Sequence, residues 1–334
     1  MNIPEKSSTD SNKLYQEAVN LLDNGDINCI ENKCINNNNI YNELNKIAIY
    51  DKILYNNRKE LIDKLGTKYN CKNNTLLCVL YKINDKINDK SNEFSNYGID
   101  SSIINNSIIK AKQPGPFDSN RWFSDGNIDD VLKKFEILFK KKNFFHIYFH
   151  MRDFKINNKY EDEKRNINKI NFCEKYKDGY RCFGVVFNTD ISSGSGEHWF
   201  CLFCNFYDHP FTIEYFNSSG ESPCIEISEL MCKIKHQMSQ FFIDNAYKNT
   251  DVDDIGVVDE DTAIKCPVNY IDKYVRCIQA TKLINQRDNS SCGAYSIFYI
   301  LARLYGIPYE FFKNNIIGDN LMYDLRHKLF AHNY

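Results

Sequence analysis

Cys292 follows Asp288-Asn289-Ser290-Ser291 and opens an apolar helical run of Ala294, Ile297, Phe298, Leu301 and Leu304. A cysteine in the first turn of a helix feels the positive end of the helix dipole, which favours thiolate over thiol. Ser290 or Ser291 is the expected cap of that helix, and Gly293 leaves room for a substrate backbone. Gln286 lies six residues upstream, at the exit of a candidate strand. Its amide can donate to the oxyanion formed when a thiolate attacks a carbonyl, with the N–H of Cys292 as a second donor. His198 begins a strand just after Gly194-Ser195-Gly196, and Trp199 beside it would shield an ion pair and narrow a cleft. Asn217 ends the next strand, nineteen residues further on. If the two strands pair, Asn217 can accept from the imidazole and fix its tautomer. Glu214 and Asp190 are the alternative orienters. Each residue alone has an ordinary structural explanation; the set together describes nucleophilic acyl transfer.

The elements that must position these residues follow from periodicity. Cys182 to Phe187, His198 to Phe206 and Phe211 to Phe216 are rich in aromatic and β-branched residues and read as strands. Phe144 to Phe149 and Val275 to Ile284 are further candidate strands. Ile128, Val131, Leu132, Phe135 and Phe139 have helical spacing, as do Ile227, Leu230, Met231, Ile234, Met238, Phe241 and Phe242. A last helix is expected over roughly 320–330. The polar N-terminal region reads as helical, with apolar faces at Leu14, Ala18 and Leu22, at Leu44 and Ile47, at Leu61, Ile62 and Leu65, and over Leu76 to Leu80. Gly25 and Gly66 are candidate helix stops. Gln113-Pro114-Gly115-Pro116 cannot continue a helix and marks a boundary. The expectation is an α+β fold: a mixed central sheet flanked by helices over 113–334, behind an N-terminal helical arm domain over 1–112.

Bulk properties narrow the partners. The chain has 334 residues, 43% of them hydrophobic, enough for a sizeable core. A net charge of −2 gives no electrostatic footprint for nucleic acid as a main partner. No stretch has the ~18 consecutive apolar residues of a membrane span. Thirteen scattered cysteines suggest reduced, buried thiols rather than a disulfide framework. Cys201 and Cys204 have zinc-like spacing but no second pair, so they are expected in the core, with no metal and no cofactor. Residues 250–262 are acidic and read as a solvated loop.

The order His–Asn–Gln–Cys is the reverse of the papain-like one. Phe187-Asn188-Thr189-Asp190 through His198-Trp199, Ile213 through Gly220 with Ser222-Pro223, Gln286-Arg287 through Cys292-Gly293, and Tyr295 through Leu304 resemble the adenain/Ulp-type clan of cysteine proteases. That clan includes the adenovirus proteinase and the SUMO-specific proteases, and the match is nearest its asfivirus-like branch. The resemblance implies His198 as base, Asn217 as orienter, Gln286 in the oxyanion hole, Cys292 as nucleophile and Trp199 against the substrate. Asparagine at 217 departs from the aspartate of the SUMO proteases but agrees with the asfivirus-like branch. It further implies a viral endopeptidase that cuts structural polyproteins after Gly-Gly during virion maturation, in the host cytoplasm (the viral factory) and the virion. Ubiquitin-like proteins, whose tails end in Gly-Gly, are the alternative substrates, and a cysteine-dependent acetyltransferase is a more distant reading.

Overall fold

The structure is a computed structural model and describes residues 38–71, 76–88, 95–110, 113–118, 120–156, 166–207, 210–246, 266 and 274–331. The expected helix around Leu14 to Leu22, its stop at Gly25 and the acidic 250–262 stretch lie outside the described residues. The chain divides into two compact units, one ending at Pro114 and the other running from Gly115 to Tyr334.

The first unit contains helices α1 (Asn38–Tyr50), α2 (Arg58–Lys68), α3 (Leu76–Asn88) and α4 (Ser101–Lys110). Ile40, Leu44, Ile47, Leu61, Leu65, Val79, Leu80, Ile83 and Ile104 close around one core. Gly66 does not stop α2 as expected. It is buried inside the helix, and the stop is Tyr69 followed by Asn70, whose φ of 56° takes the left-handed turn instead. Asparagine tolerates that conformation better than most residues.

The second unit holds α5 (Asp125–Leu138), β1 (Phe144–His146), β2 (His150–Met151), α6 (Phe172–Lys177), β3 (Cys182–Asn188), β4 (Trp199–Asn205), β5 (Phe211–Phe216), α7 (Ile225–Ala246), β6 (Val275–Gln279), α8 (Cys292–Tyr305), α9 (Tyr309–Asn314) and α10 (Asp319–Leu329). The sheet order is β1-β3-β4-β5-β6, with β2 also on β3. β3, β4 and β5 are mutually antiparallel neighbours, while β1, β2 and β6 join in parallel. This is the expected mixed sheet between helices. Candidate strand 144–149 ends at His146, with a separate short strand starting only at His150, and candidate strand 275–284 ends at Gln279.

β3, β4 and β5 carry almost unbroken apolar runs because helices cover both faces. On one face Phe183, Val185, Phe187, Phe200, Leu202, Ile213 and Tyr215 meet Ile227, Leu230, Met231, Ile234 and Met238 of α7. On the other face lies α8, stacking Tyr299 on Phe216 with ring centroids 4.5 Å apart. Both core faces bury large aromatic areas, each side chain contributing about 1.5–3 kcal/mol. Cys204 belongs to the α7 face, and Cys201, three residues earlier, points to the other. A strand alternates sides, so this pair cannot converge on one metal; both are buried, as expected.

The expectation of wholly reduced thiols is corrected. Cys71 bonds to Cys78 and Cys232 to Cys266, with Cα atoms 5.9 and 5.5 Å apart. The first pair joins a residue just after α2 to α3 and the second ties α7 to a residue far along the chain, proximities that spacing alone does not reveal.

Candidate active site

Three element ends meet at one edge of the sheet. β4 and β5 are antiparallel, with Cys201 opposite Phe216, so the start of β4 and the end of β5 coincide. His198 and Asn217 are the residues just beyond those ends. His198 Nε2 lies 2.6 Å from Asn217 Oδ1. Asn217 is itself fixed: its Nδ2 donates to the Tyr215 hydroxyl at 3.1 Å, and its Oδ1 also accepts from the Ser219 N–H at 3.0 Å. With Nε2 bound to Asn217, the imidazole turns Nδ1 outward.

Cys292 stands at the start of α8, and the backbone N–H of Trp199 faces its sulfur. Trp199 adjoins His198, so Cys292 and His198 share this edge although 94 positions apart in the chain. The N–H groups of Gly293 and of Cys292 itself also point at the sulfur, the unpaired donors of a helix start. Burial is nevertheless the largest influence and pushes the Cys292 thiol up; the three N–H groups oppose it, and Asp288 raises it further. Burial thus works against the thiolate that the helix terminus alone would favour.

The cap expectation is corrected as well. Ser291 occupies the cap position but makes no side-chain cap bond. Asp288 instead braces the loop ahead of the helix: its Oδ1 accepts from the N–H groups of Ser290 (3.1 Å) and Ser291 (2.9 Å), and Oδ2 from the Ser291 hydroxyl (2.5 Å). Burial raises the Asp288 pKa, but these donors and the Gln286 amide together hold it below its ordinary value. Gln286 is clamped between Ser218, whose hydroxyl donates to Oε1 at 2.8 Å, and Asp288, whose backbone oxygen and Oδ1 accept from Nε2 at 2.9 and 3.2 Å. It thus joins the loop after Asn217 to the loop before Cys292.

Gly293 serves a neighbour rather than a substrate. A Cβ there would meet the Phe123 side chain at 2.9 Å. The Phe123 carbonyl accepts the Trp199 indole N–H at 3.1 Å, and Phe149 packs edge-on against that indole. Trp199 is thereby locked as one wall of a cavity of about 450 Å³, shared with Trp122, Phe149, Met151, Asn188 and Ser195. Neither alternative orienter contacts the imidazole. Asp190 accepts from the Gly196 N–H at 2.8 Å. Glu214 is buried in a bidentate pair with Arg303, its oxygens 2.7 and 2.8 Å from Nε and Nη2, with Tyr299 and Thr212 hydroxyls completing its shell.

Residues 140–334 match the Ulp1 protease family, C-terminal catalytic domain. The chain belongs to this family. It is 30% identical over 234 residues to a cysteine protease of African swine fever virus (a tick isolate), covering 66% of this chain and 72% of that one. The SUMO-1 cysteine protease of a pig isolate of the same virus matches equally, 30% over 234 residues. The crystal structure of the African swine fever virus protease superposes with a TM-score of 0.55 at 25% identity, covering 84% of this chain and 94% of that one. The protein is a cysteine protease with the Ulp1-type fold.

Sequence reasoning named His198, Asn217, Gln286, Cys292 and Trp199, and these cluster at one edge. It missed Asp288, Phe123 and Arg326. An aspartate whose carboxylate takes the N–H groups two and three residues on is a recognisable loop pattern; for Phe123 and Arg326 no local pattern exists.

Proposed function

We propose that the protein is a viral endopeptidase that cleaves structural polyproteins after Gly-Gly pairs during virion maturation, acting in the host cytoplasm and the virion. The observation that supports it best is the His198–Asn217 bond of 2.6 Å beside a helix-start cysteine overhung by the Trp199 N–H. His198 is the base, Asn217 its orienter, Cys292 the nucleophile, Gln286 an oxyanion donor and Trp199 a wall of the substrate cleft. A substrate passing beneath a locked indole fits best where it has no side chains, which favours glycine on both sides of that contact.

The reaction is acyl transfer in two halves. His198 Nδ1 takes the Cys292 proton as the sulfur attacks the scissile carbonyl. The oxyanion is met by the Cys292 N–H and by Gln286, whose Nε2 gives up its longer contact, 3.2 Å to Asp288 Oδ1, to reach it. The imidazolium then gives its proton to the departing amine, and a thioester remains. His198 next deprotonates water, which attacks the thioester, and the proton returns to sulfur as the acid leaves.

The test is a panel of Gly-Gly-X peptides beside SUMO and ubiquitin conjugates, with products read by mass spectrometry. Cleavage of the peptides after the second glycine, abolished in Cys292→Ala, is the expected result. Cleavage of the ubiquitin-like conjugates alone would replace this reading with the deconjugating one, which the SUMO-1 name of its viral relatives favours. Activity retained in Cys292→Ala would remove both.

A further inference from the structure

Arg326 lies on α10, and its side chain is completely buried. Nη2 donates to the Ser290 carbonyl at 2.6 Å, two residues before the nucleophile. Nη1 donates to the Arg121 carbonyl at 2.6 Å and lies 3.3 and 3.5 Å from those of Pro116 and Asp118. The guanidinium sits over the Phe123 ring, 4.7 Å from its centroid, and Nε is buried without a partner. Every hydrogen-bond acceptor around it is a backbone carbonyl. Among the described residues no carboxylate forms an ion pair with it; Asp288 acts on it only at longer range.

A buried cation with neutral partners is expensive, several kcal/mol even after relaxation. An apolar residue of like size would hold α10 to the core without that penalty. Two consequences set this arginine apart from ordinary core. It fastens the 116–123 segment to the loop preceding Cys292, and Phe123 is the residue that locks Trp199 and fills the space over Gly293. It also places a buried positive charge on the carbonyl of Ser290, two residues from Cys292.

We propose that Arg326 is a positioning residue for the reaction at Cys292: its unpaired guanidinium holds the nucleophile's loop and Phe123 in register, and its fixed charge steadies the thiolate as the proton leaves. The inference rests on Cys292 being the nucleophile. Its direct readout is alkylation of Cys292, which needs no substrate, so it can fail without the polyprotein reading failing.

Two substitutions separate charge from shape. Arg326→Lys keeps a cation and loses the fork; Arg326→Gln loses both cation and fork. The full-length chain is treated with iodoacetamide across a pH series, Cys292 modification is followed by peptide mass spectrometry, and melting curves check folding. In Arg326→Gln the profile should move up by about one pH unit, so alkylation below its midpoint slows about tenfold. In Arg326→Lys the midpoint should stay within about a third of a unit of the parent, while kcat on a cleaved peptide falls because the carbonyl contacts are lost. Equal midpoints in all three proteins would reduce Arg326 to packing and overturn the electrostatic half. Should the glutamine variant fail to fold, Arg326→Met takes its place by the same criterion: a midpoint moved up by about one unit sustains the electrostatic half, and a midpoint equal to the parent's overturns it.

Discussion

On the proposed mechanism, replacing Asn217 by alanine separates orientation of the base from the base itself. The substitution removes the 2.6 Å acceptor from His198 Nε2. In the transition state that nitrogen belongs to an imidazolium, and a hydrogen bond to a charged group contributes about 1.5–3 kcal/mol. At 1.36 kcal/mol per decade, kcat should drop roughly 10- to 150-fold. The bond acts on the charged imidazole rather than on bound substrate, so KM should move less than about threefold. Alanine also leaves the buried Tyr215 hydroxyl and the Ser219 N–H without Asn217, a loss of about 1–3 kcal/mol in stability. Melting curves must therefore accompany the kinetics. Asn217→Asp is the control: it keeps an acceptor for His198, and Tyr215 can donate to the second oxygen, so it should outperform alanine. His198→Ala removes proton transfer altogether and should be the worst of the three. An alanine variant as inactive as His198→Ala, or one with parental kcat and a raised KM, would mean that Asn217 does not act through the imidazole.

Two stability measurements test the frame around the site. Asp129 accepts the Phe149 N–H at 2.9 Å, and its pKa is raised to about 7, chiefly by burial; that N–H and Lys133 oppose the shift, and Asp125 and Asp130 add to it. A carboxyl held above its unfolded value stabilises the fold fully only below about pH 4, and that contribution fades as pH climbs to about 7. Asp129→Asn keeps the acceptor for Phe149 without the charge, so its advantage in urea unfolding should widen between pH 5 and pH 8, by at most about 3 kcal/mol; an advantage independent of pH would contradict the assignment. Glu214→Ala leaves Arg303 buried and uncompensated, and unfolding stability should fall by about 3–5 kcal/mol. A loss below about 1 kcal/mol would show that Arg303 finds water instead.

The strands and helices that carry the site were legible because each has a simple period and well-marked ends. β4 and β5 could be paired on paper, and their antiparallel register brings His198 and Asn217 together whatever the chain order. Cys292 was legible for a related reason: an apolar helix preceded by polar residues announces its own N-terminus. What escaped were interactions whose partners share no local pattern. Ser291 satisfies the rule for a cap, yet its hydroxyl turns back to the Asp288 carboxylate and makes no cap bond. Gly293 looked like room for substrate, but the room is already taken by Phe123.

Arg326 marks the limit most clearly. α10 buries Leu321, Met322, Leu325 and Leu329, and Arg326 shares that buried side. Periodicity identifies an apolar face and assigns a charged residue near it to the rim, where a long side chain can reach water. Here the side chain runs inward to carbonyls contributed by Pro116, Arg121 and Ser290, from segments on either side of the catalytic elements in sequence. Those carbonyls become neighbours only after the sheet and α8 have assembled. A charge whose solvation shell is built by the fold is invisible to any reading that takes elements one at a time, and in an enzyme such a charge has a use: it can act on a buried sulfur without the screening that water would impose.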